Sequence, residues 1–96
     1  MTYAKRVDNN HAEIRDGVRA AGYNVLDLSK AGCGVPDVLA ISKAGASVFM
    51  EIKQPGCKLT DAERKFHATY TGLIFVVFSL EDALEKLETI DLRAGR

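Results

Sequence analysis

Three residues in the middle of this 96-residue chain combine in a pattern that can do chemistry: Asp37, Glu51 and Lys53. Glu51 and Lys53 are two apart in a run, 47–53, that reads as a β-strand, so they share a face while Ile52 points the other way. Residues 37–42 read as the preceding strand, joined to it by the loop Lys43-Ala44-Gly45. Gly45 suits the left-handed position that ends a three-residue hairpin loop. With Ser42 opposite Ala46, counting back along both strands sets Asp37 opposite Glu51, Cβ atoms about 5 Å apart. Two carboxylates that close repel, and neither belongs on an apolar sheet face without compensation. A divalent cation resolves the conflict. An all-oxygen donor set suits Mg²⁺ or Mn²⁺, whereas zinc prefers His and Cys. Lys53 beside it is placed to position an attacking water or to stabilise charge developing on a phosphate. The pattern is one for metal-assisted phosphodiester hydrolysis. Its bland alternative is a solvated strand face with a salt bridge of little worth. The glycines flanking Cys33 and the Pro55-Gly56 pair after Lys53 favour a site, since function tends to sit on loops beside rigid strands.

The elements that must position these residues follow from periodicity and caps. Asp8 or Asn9 is the expected cap of a first helix running to about residue 21, with Gly22 ending it. Ile14, Val18 and Ala21 mark its buried stripe. Gly17 within it costs about 1 kcal/mol against Ala, which implies close packing there. Residues 23–28 form a strand. Thr60 with Glu63 makes a capping box and starts a helix to about residue 71, stopped by Gly72. Residues 73–78 are continuously apolar, as in a strand covered on both faces. Ser79 with Asp82 caps a last helix through about residue 90, with Ala83, Leu84 and Leu87 inward. The expected order is α-β-β-β-α-β-α: an α/β fold with a mixed sheet flanked by helices on both faces.

Composition narrows the classes. Thirteen Lys and Arg balance thirteen Asp and Glu, which excludes a protein held on nucleic acid by bulk charge, and equally an acidic disordered tail. The 47% hydrophobic fraction suffices for one core, and one domain spanning 1–96 is expected. The longest apolar run falls far short of the roughly 20 residues that cross a bilayer, and the N-terminal residues carry no signal-peptide pattern. Cys33 and Cys57 offer no disulfide framework. A cytoplasmic protein is expected.

The residues Gly34-Val35-Pro36-Asp37, then Glu51-Ile52-Lys53, resemble the PD-(D/E)xK nuclease signature. The continuation Lys53-Gln54-Pro55-Gly56-Cys57-Lys58-Leu59-Thr60-Asp61-Ala62-Glu63 resembles more narrowly the VRR-NUC (virus-type replication-repair nuclease) branch, and the likeness covers roughly residues 10–79. It implies a restriction-endonuclease-like core, Asp37 and Glu51 as ligands of Mg²⁺ or Mn²⁺, the Ile52 carbonyl as a further ligand, and Lys53 as the catalytic lysine. Such sites are often completed by an acidic residue on the first helix, whose counterpart here is Glu13. The chain departs from the branch at Glu63, where Gln is frequent. Glu63 is thus either a fourth carboxylate of the site or only the capping partner of Thr60.

Stand-alone members of this branch resemble junction resolvases, and a phage or prophage source fits the minimal size of this chain. The implied activity is therefore a metal-dependent DNA endonuclease acting on branched or junction DNA. The alternative is a non-catalytic nucleic-acid-binding module of the same fold. Phosphate contacts are expected from Lys53, Lys58, Arg64 and Lys65, extended by Lys5, Arg6 and Lys30, with the acidic stretch 81–91 facing away. His67, one turn after Glu63, reads as a helix-surface histidine or a phosphate contact. His11 carries less signal, and the two cysteines make a poor zinc site. A marginal core and the need for two symmetric cuts point to a twofold homodimer, joined through the first helix, the 23–28 strand or the surroundings of Tyr70.

Overall fold

A computed structural model describes residues 10–95. The order is α1 (His11–Ala20), β1 (Asn24–Asp27), β2 (Val38–Ile41), β3 (Ser47–Ile52), α2 (Asp61–Thr69), β4 (Leu73–Val77) and α3 (Leu80–Arg93). The sheet runs β1-β2-β3-β4, the first three strands antiparallel and β4 parallel to β3. A parallel return needs a crossover, and α2 supplies it. This is the mixed α/β sheet expected from the sequence.

The β2–β3 hairpin closes as its loop residues dictate. Ser42 N–H donates to the Ala46 carbonyl (2.8 Å), Gly45 N–H donates to the Ser42 carbonyl (2.9 Å), and Gly45 has φ +93°. The register follows, with Val38 opposite Met50 and Ala40 opposite Val48. Asp37 and Glu51 are the next step along the same two strands.

The sheet separates two environments. On one face Val38, Ala40, Val48, Met50 and Ile52 are buried with Ile14 and Val18 of α1 and Ala83 and Leu87 of α3. Gly17 lets the helices meet: a Cβ there would stand 2.5 Å from a Leu80 methyl. On the other face α2 lays Phe66 and Tyr70 edge-on against Phe49, ring centroids 5.6 and 5.0 Å away. Phe49 and Glu51 alternate with the core residues, so Glu51 lies on the α2 side.

Three expectations change. Residues 73–78 are not covered on both faces. β4 is an edge strand in which Leu73 is exposed, Ile74, Phe75 and Val76 are half-buried, and only Val77 is buried. Ala21 is exposed rather than part of the α1 stripe, because the helix ends at Ala20 and Gly22 (φ +100°) turns the chain away. The expected caps Asp8 and Asn9 lie outside the described residues. Asn10 stands at the N-cap position, but its side chain does not cap. Its Nδ2 instead donates to the carbonyls of Lys53 (3.2 Å) and Phe78 (3.0 Å), tying the start of α1 to the ends of β3 and β4.

Two further anchors hold the frame. Asp91, buried on α3, accepts from the N–H groups of Lys43 (3.1 Å) and Ala44 (2.8 Å) and so clamps the hairpin loop. Asp27 at the end of β1 accepts from Ser29, Arg15 and His11. The hydroxyl of Ser29 does most to hold the Asp27 carboxyl well below the usual carboxylate range, against the opposing effect of burial. His11 is thereby accounted for as a buried tie between α1 and β1.

Candidate active site

Asp37, Glu51, Lys53, Glu63 and His67 meet between the end of the hairpin and α2. Glu51 is 1% exposed, an unusual place for a carboxyl. The pairing register sets Asp37 across from it, and Asp37 Oδ2 accepts from the Ile52 N–H (2.8 Å). Burial, then the hydrogen bond and charge of Asp37, then the charge of Glu63 push the Glu51 carboxyl up to about 9, with only the Lys53 ammonium opposing them. In the protein alone, Glu51 therefore holds its proton at neutral pH.

Lys53 Nζ stands 2.9 Å from Glu63 Oε1, in an ion pair whose side chains are only 14% and 17% exposed. The same Glu63 oxygen accepts from the Thr60 N–H (2.9 Å), while the Thr60 hydroxyl accepts from the Glu63 N–H (3.1 Å). Glu63 thus completes the capping box with Thr60 and, in a role the sequence did not suggest, pairs with the lysine. Burial works against its charge, but the Thr60 N–H and the Lys53 ammonium outweigh that and keep its carboxyl below the ordinary value.

His67 is not a plain surface histidine. Glu63, Phe66, His67 and Tyr70 follow at helical spacing along the inward face of α2, and His67 Nε2 lies 3.8 Å from Glu51 Oε1. Burial lowers the basicity of its imidazole. That i, i+4 stripe is the sequence signal that identifies it.

Glu13 is not brought to this group. It is exposed on α1, which packs on the opposite face of the sheet, and it makes no hydrogen bond or ion pair among the described residues. Ile52 buries its side chain in the core. Because a strand residue directs its N–H and C=O to the same neighbour, the N–H bond to Asp37 turns the Ile52 carbonyl toward the carboxylates as well. Cys33 and Cys57 are exposed free thiols.

Among the described residues, no three His, Cys, Asp or Glu side chains are grouped closely enough to hold a metal by themselves. A cation at this place would have Asp37, Glu51 and the Ile52 carbonyl as oxygen donors and would need water in its remaining positions, as Mg²⁺ ordinarily does. The donors fit such an ion. Glu51 Oε1 is shut off from solvent and has no hydrogen-bond partner within the protein.

The loop before Asp37 fixes the distance between hairpin and α2. Gly32, Cys33 and Gly34 have φ of +74°, +57° and +80° in succession, and this turn brings Gly34 against the first turn of α2. A Cβ on Gly34 would stand 2.3 Å from the Ala62 carbonyl oxygen, whereas one on Gly32 would meet nothing within 4 Å. Gly34→Ala is therefore expected to cost about 2–4 kcal/mol by urea unfolding, and Gly32→Ala only the roughly 1 kcal/mol of left-handed backbone. Equal losses would show that the approach to Ala62 does not matter.

Lys58, Arg64 and Lys65 are exposed near the site, Arg64 in an ion pair with Asp61, and Lys30 is exposed on the loop after β1. Lys5 and Arg6 lie outside the described residues. The acidic stretch 81–91 belongs to α3, on the face opposite Glu51. Comparison with protein-family models, curated proteins and solved structures gives no match.

Proposed function

We propose that this protein is a Mg²⁺- or Mn²⁺-dependent DNA endonuclease of the VRR-NUC type that hydrolyses phosphodiester bonds, with branched or four-way junction DNA as its substrate. The observation that carries this reading is the burial of one carboxyl, Glu51, against another, Asp37, with an ammonium group held beside them. Such an arrangement is destabilising as a structural device and sensible as a cation site.

Asp37, Glu51 and the Ile52 carbonyl would hold the cation, which supplies Lewis-acid activation of the scissile phosphate and of the attacking water. Glu51 would have to be ionised to hold it. Lys53 places its ammonium where negative charge grows on the phosphoryl oxygens, and Glu63 holds it there without side-chain reorganisation during the reaction. Phe49, Phe66 and Tyr70 pack together on the same side of the sheet and seat α2 against β3. Lys58, Arg64 and Lys65 supply phosphate contacts, so binding should weaken with added salt.

The proposal includes a twofold homodimer, whose two sites would make the paired cuts a junction needs. It also includes a cytoplasmic location, to which exposed reduced thiols are suited. Among the described residues no helix is long and apolar enough to cross a membrane.

The test is a cleavage panel of four-way junctions, flaps, single strands and linear duplex, with Mg²⁺ or Mn²⁺ and with EDTA, alongside sedimentation at micromolar concentration. Paired symmetric cuts of junctions by a dimer, abolished by EDTA, are expected. A 10.5 kDa monomer making single nicks would refute the resolvase part. Binding without any cleavage would refute the enzyme.

A further inference from the structure

The two edges of the sheet are finished differently. At β1 the Val25 carbonyl accepts from Arg19 Nη2 (3.1 Å), and Arg15 pairs with Asp27 at the strand's end (2.8 Å). Charged side chains of α1 thus close that edge, a common way of keeping a strand from pairing further. β4 carries nothing comparable. Residues 73–78 include no charged residue and no proline, and Leu73 and Phe78 are 38% and 40% exposed.

The register decides which backbone groups of β4 are open. Lys53 N–H donates to the Val77 carbonyl (3.1 Å), so Leu73, Phe75 and Val77 turn their N–H and C=O groups toward β3. Ile74, Val76 and Phe78 turn theirs outward. Phe78 is already served: its N–H donates to Asp82 Oδ2 (3.0 Å) and its carbonyl accepts from Asn10 Nδ2 (3.0 Å). The outward groups of Ile74 and Val76 have no hydrogen-bond partner among the described residues.

These four groups match those of an identical strand. A second copy of β4, turned by a twofold axis at Phe75, sets Ile74 opposite its Val76 and Val76 opposite its Ile74. Each pair exchanges both of its hydrogen bonds, so four bonds form and no open group is left over. An axis at Val76 would set Ile74 against Phe78, whose groups are taken. One at Ile74 would set Val76 against Gly72, which precedes the strand. Side chains agree with the axis at Phe75. The two Phe75 residues then form a pair without hydrogen bonds, where side chains come closest, and Leu73 lies opposite Val77 of the copy. Beside them Leu73, Phe75 and Ile90 line a groove between β4 and α3, with Glu85, Lys86 and Arg93 at its rim. That rim carries both signs, so the same rim turned to face it meets no wall of like charge.

Resting on the dimeric resolvase reading above, we infer that two copies of this chain join by antiparallel pairing of β4 with β4 about Phe75, which makes one continuous sheet of the two. The 23–28 strand, which the sequence offered as an interface, is the edge that α1 closes. Directly opposed residues share a face, so both copies hold Glu51 on the same side of the joined sheet. With strands about 4.8 Å apart, the two Glu51 Cα atoms stand about 15 Å from each other, and both sites face one DNA molecule.

The test is residue-by-residue amide hydrogen exchange by nuclear magnetic resonance on the full wild-type chain, with sedimentation at the same concentrations. Wherever the protein is dimeric, the Ile74 and Val76 amides should exchange at least about 10-fold more slowly than free amides. Val76→Pro removes an outward N–H without touching the ladder to β3, which an edge strand tolerates. It takes two of the four bonds from the dimer and should raise its dissociation constant about 10-fold or more. A dimer whose Ile74 and Val76 amides exchange as fast as free ones would overturn the β4 interface and leave the dimeric resolvase reading standing. A monomer at every concentration would overturn both. The wild-type exchange decides the matter even if the variant fails to fold.

Discussion

Glu51→Gln is expected to melt above the wild type in the absence of divalent cations, and to cut no DNA. Glu51 is buried at 1% exposure and faces Asp37, with its carboxyl raised from 4.5 to about 9. Between those values the folded protein holds a proton that the unfolded chain has released. The stability contributed by the neutral carboxyl is therefore complete below about pH 4.5 and lost as the pH rises toward 9. Gln has nearly the same shape and never ionises, so it escapes that loss. The difference in Tm should be close to zero at about pH 4 and largest above about pH 8. About 1 kcal/mol moves a domain of this size by about 4–8 °C, so a rise of at least that order is expected. Mn²⁺ should raise the Tm of the wild type at about pH 8 and leave that of the variant unchanged, since only the wild type can offer an anionic oxygen. A variant less stable than wild type at every pH would show that the Glu51 carboxylate is satisfied within the protein and awaits no cation.

Lys53→Met is expected to lower the cleavage rate by about 10²–10³-fold, comparable to removing one preorganised donor from a charge-stabilising site. Met keeps most of the apolar stem and removes the ammonium. Lys53 is not a metal ligand, so Mn²⁺ affinity should change little. The loss should appear in the chemical step and not in substrate binding. Folding should survive, because Glu63 keeps its bond from the Thr60 N–H and α2 remains capped. Near-normal turnover in this variant would remove Lys53 from the reaction.

The parts of this site that can be read from sequence are those set by local chemistry. Gly45 and Ser42 determine the hairpin loop, and with it the register that puts Asp37 opposite Glu51. Thr60 and Glu63 mark the start of α2 by a capping box that forms as its residue types imply. The parts that cannot be read depend on how distant elements meet. Asn10 takes the N-cap position, but its side chain is drawn instead to the carbonyls of Lys53 and Phe78, which only the fold brings to it. The apolar run of β4 looks doubly covered, yet a four-stranded sheet leaves it at an edge. Glu13 and His67 are both plausible surface residues. The side of the sheet on which each helix packs decides between them, and it brings His67 to Glu51 while leaving Glu13 exposed.

The most direct measurement is the rate of DNA cleavage by the wild type and by Asp37→Asn, purified side by side and assayed on the same junction substrate with Mn²⁺. The wild type should cut, EDTA should stop it, and Asp37→Asn should fall to background because the cation loses a carboxylate it needs. Equal rates in the two preparations, or a wild type that binds Mn²⁺ and DNA but leaves every phosphodiester intact, would contradict the account.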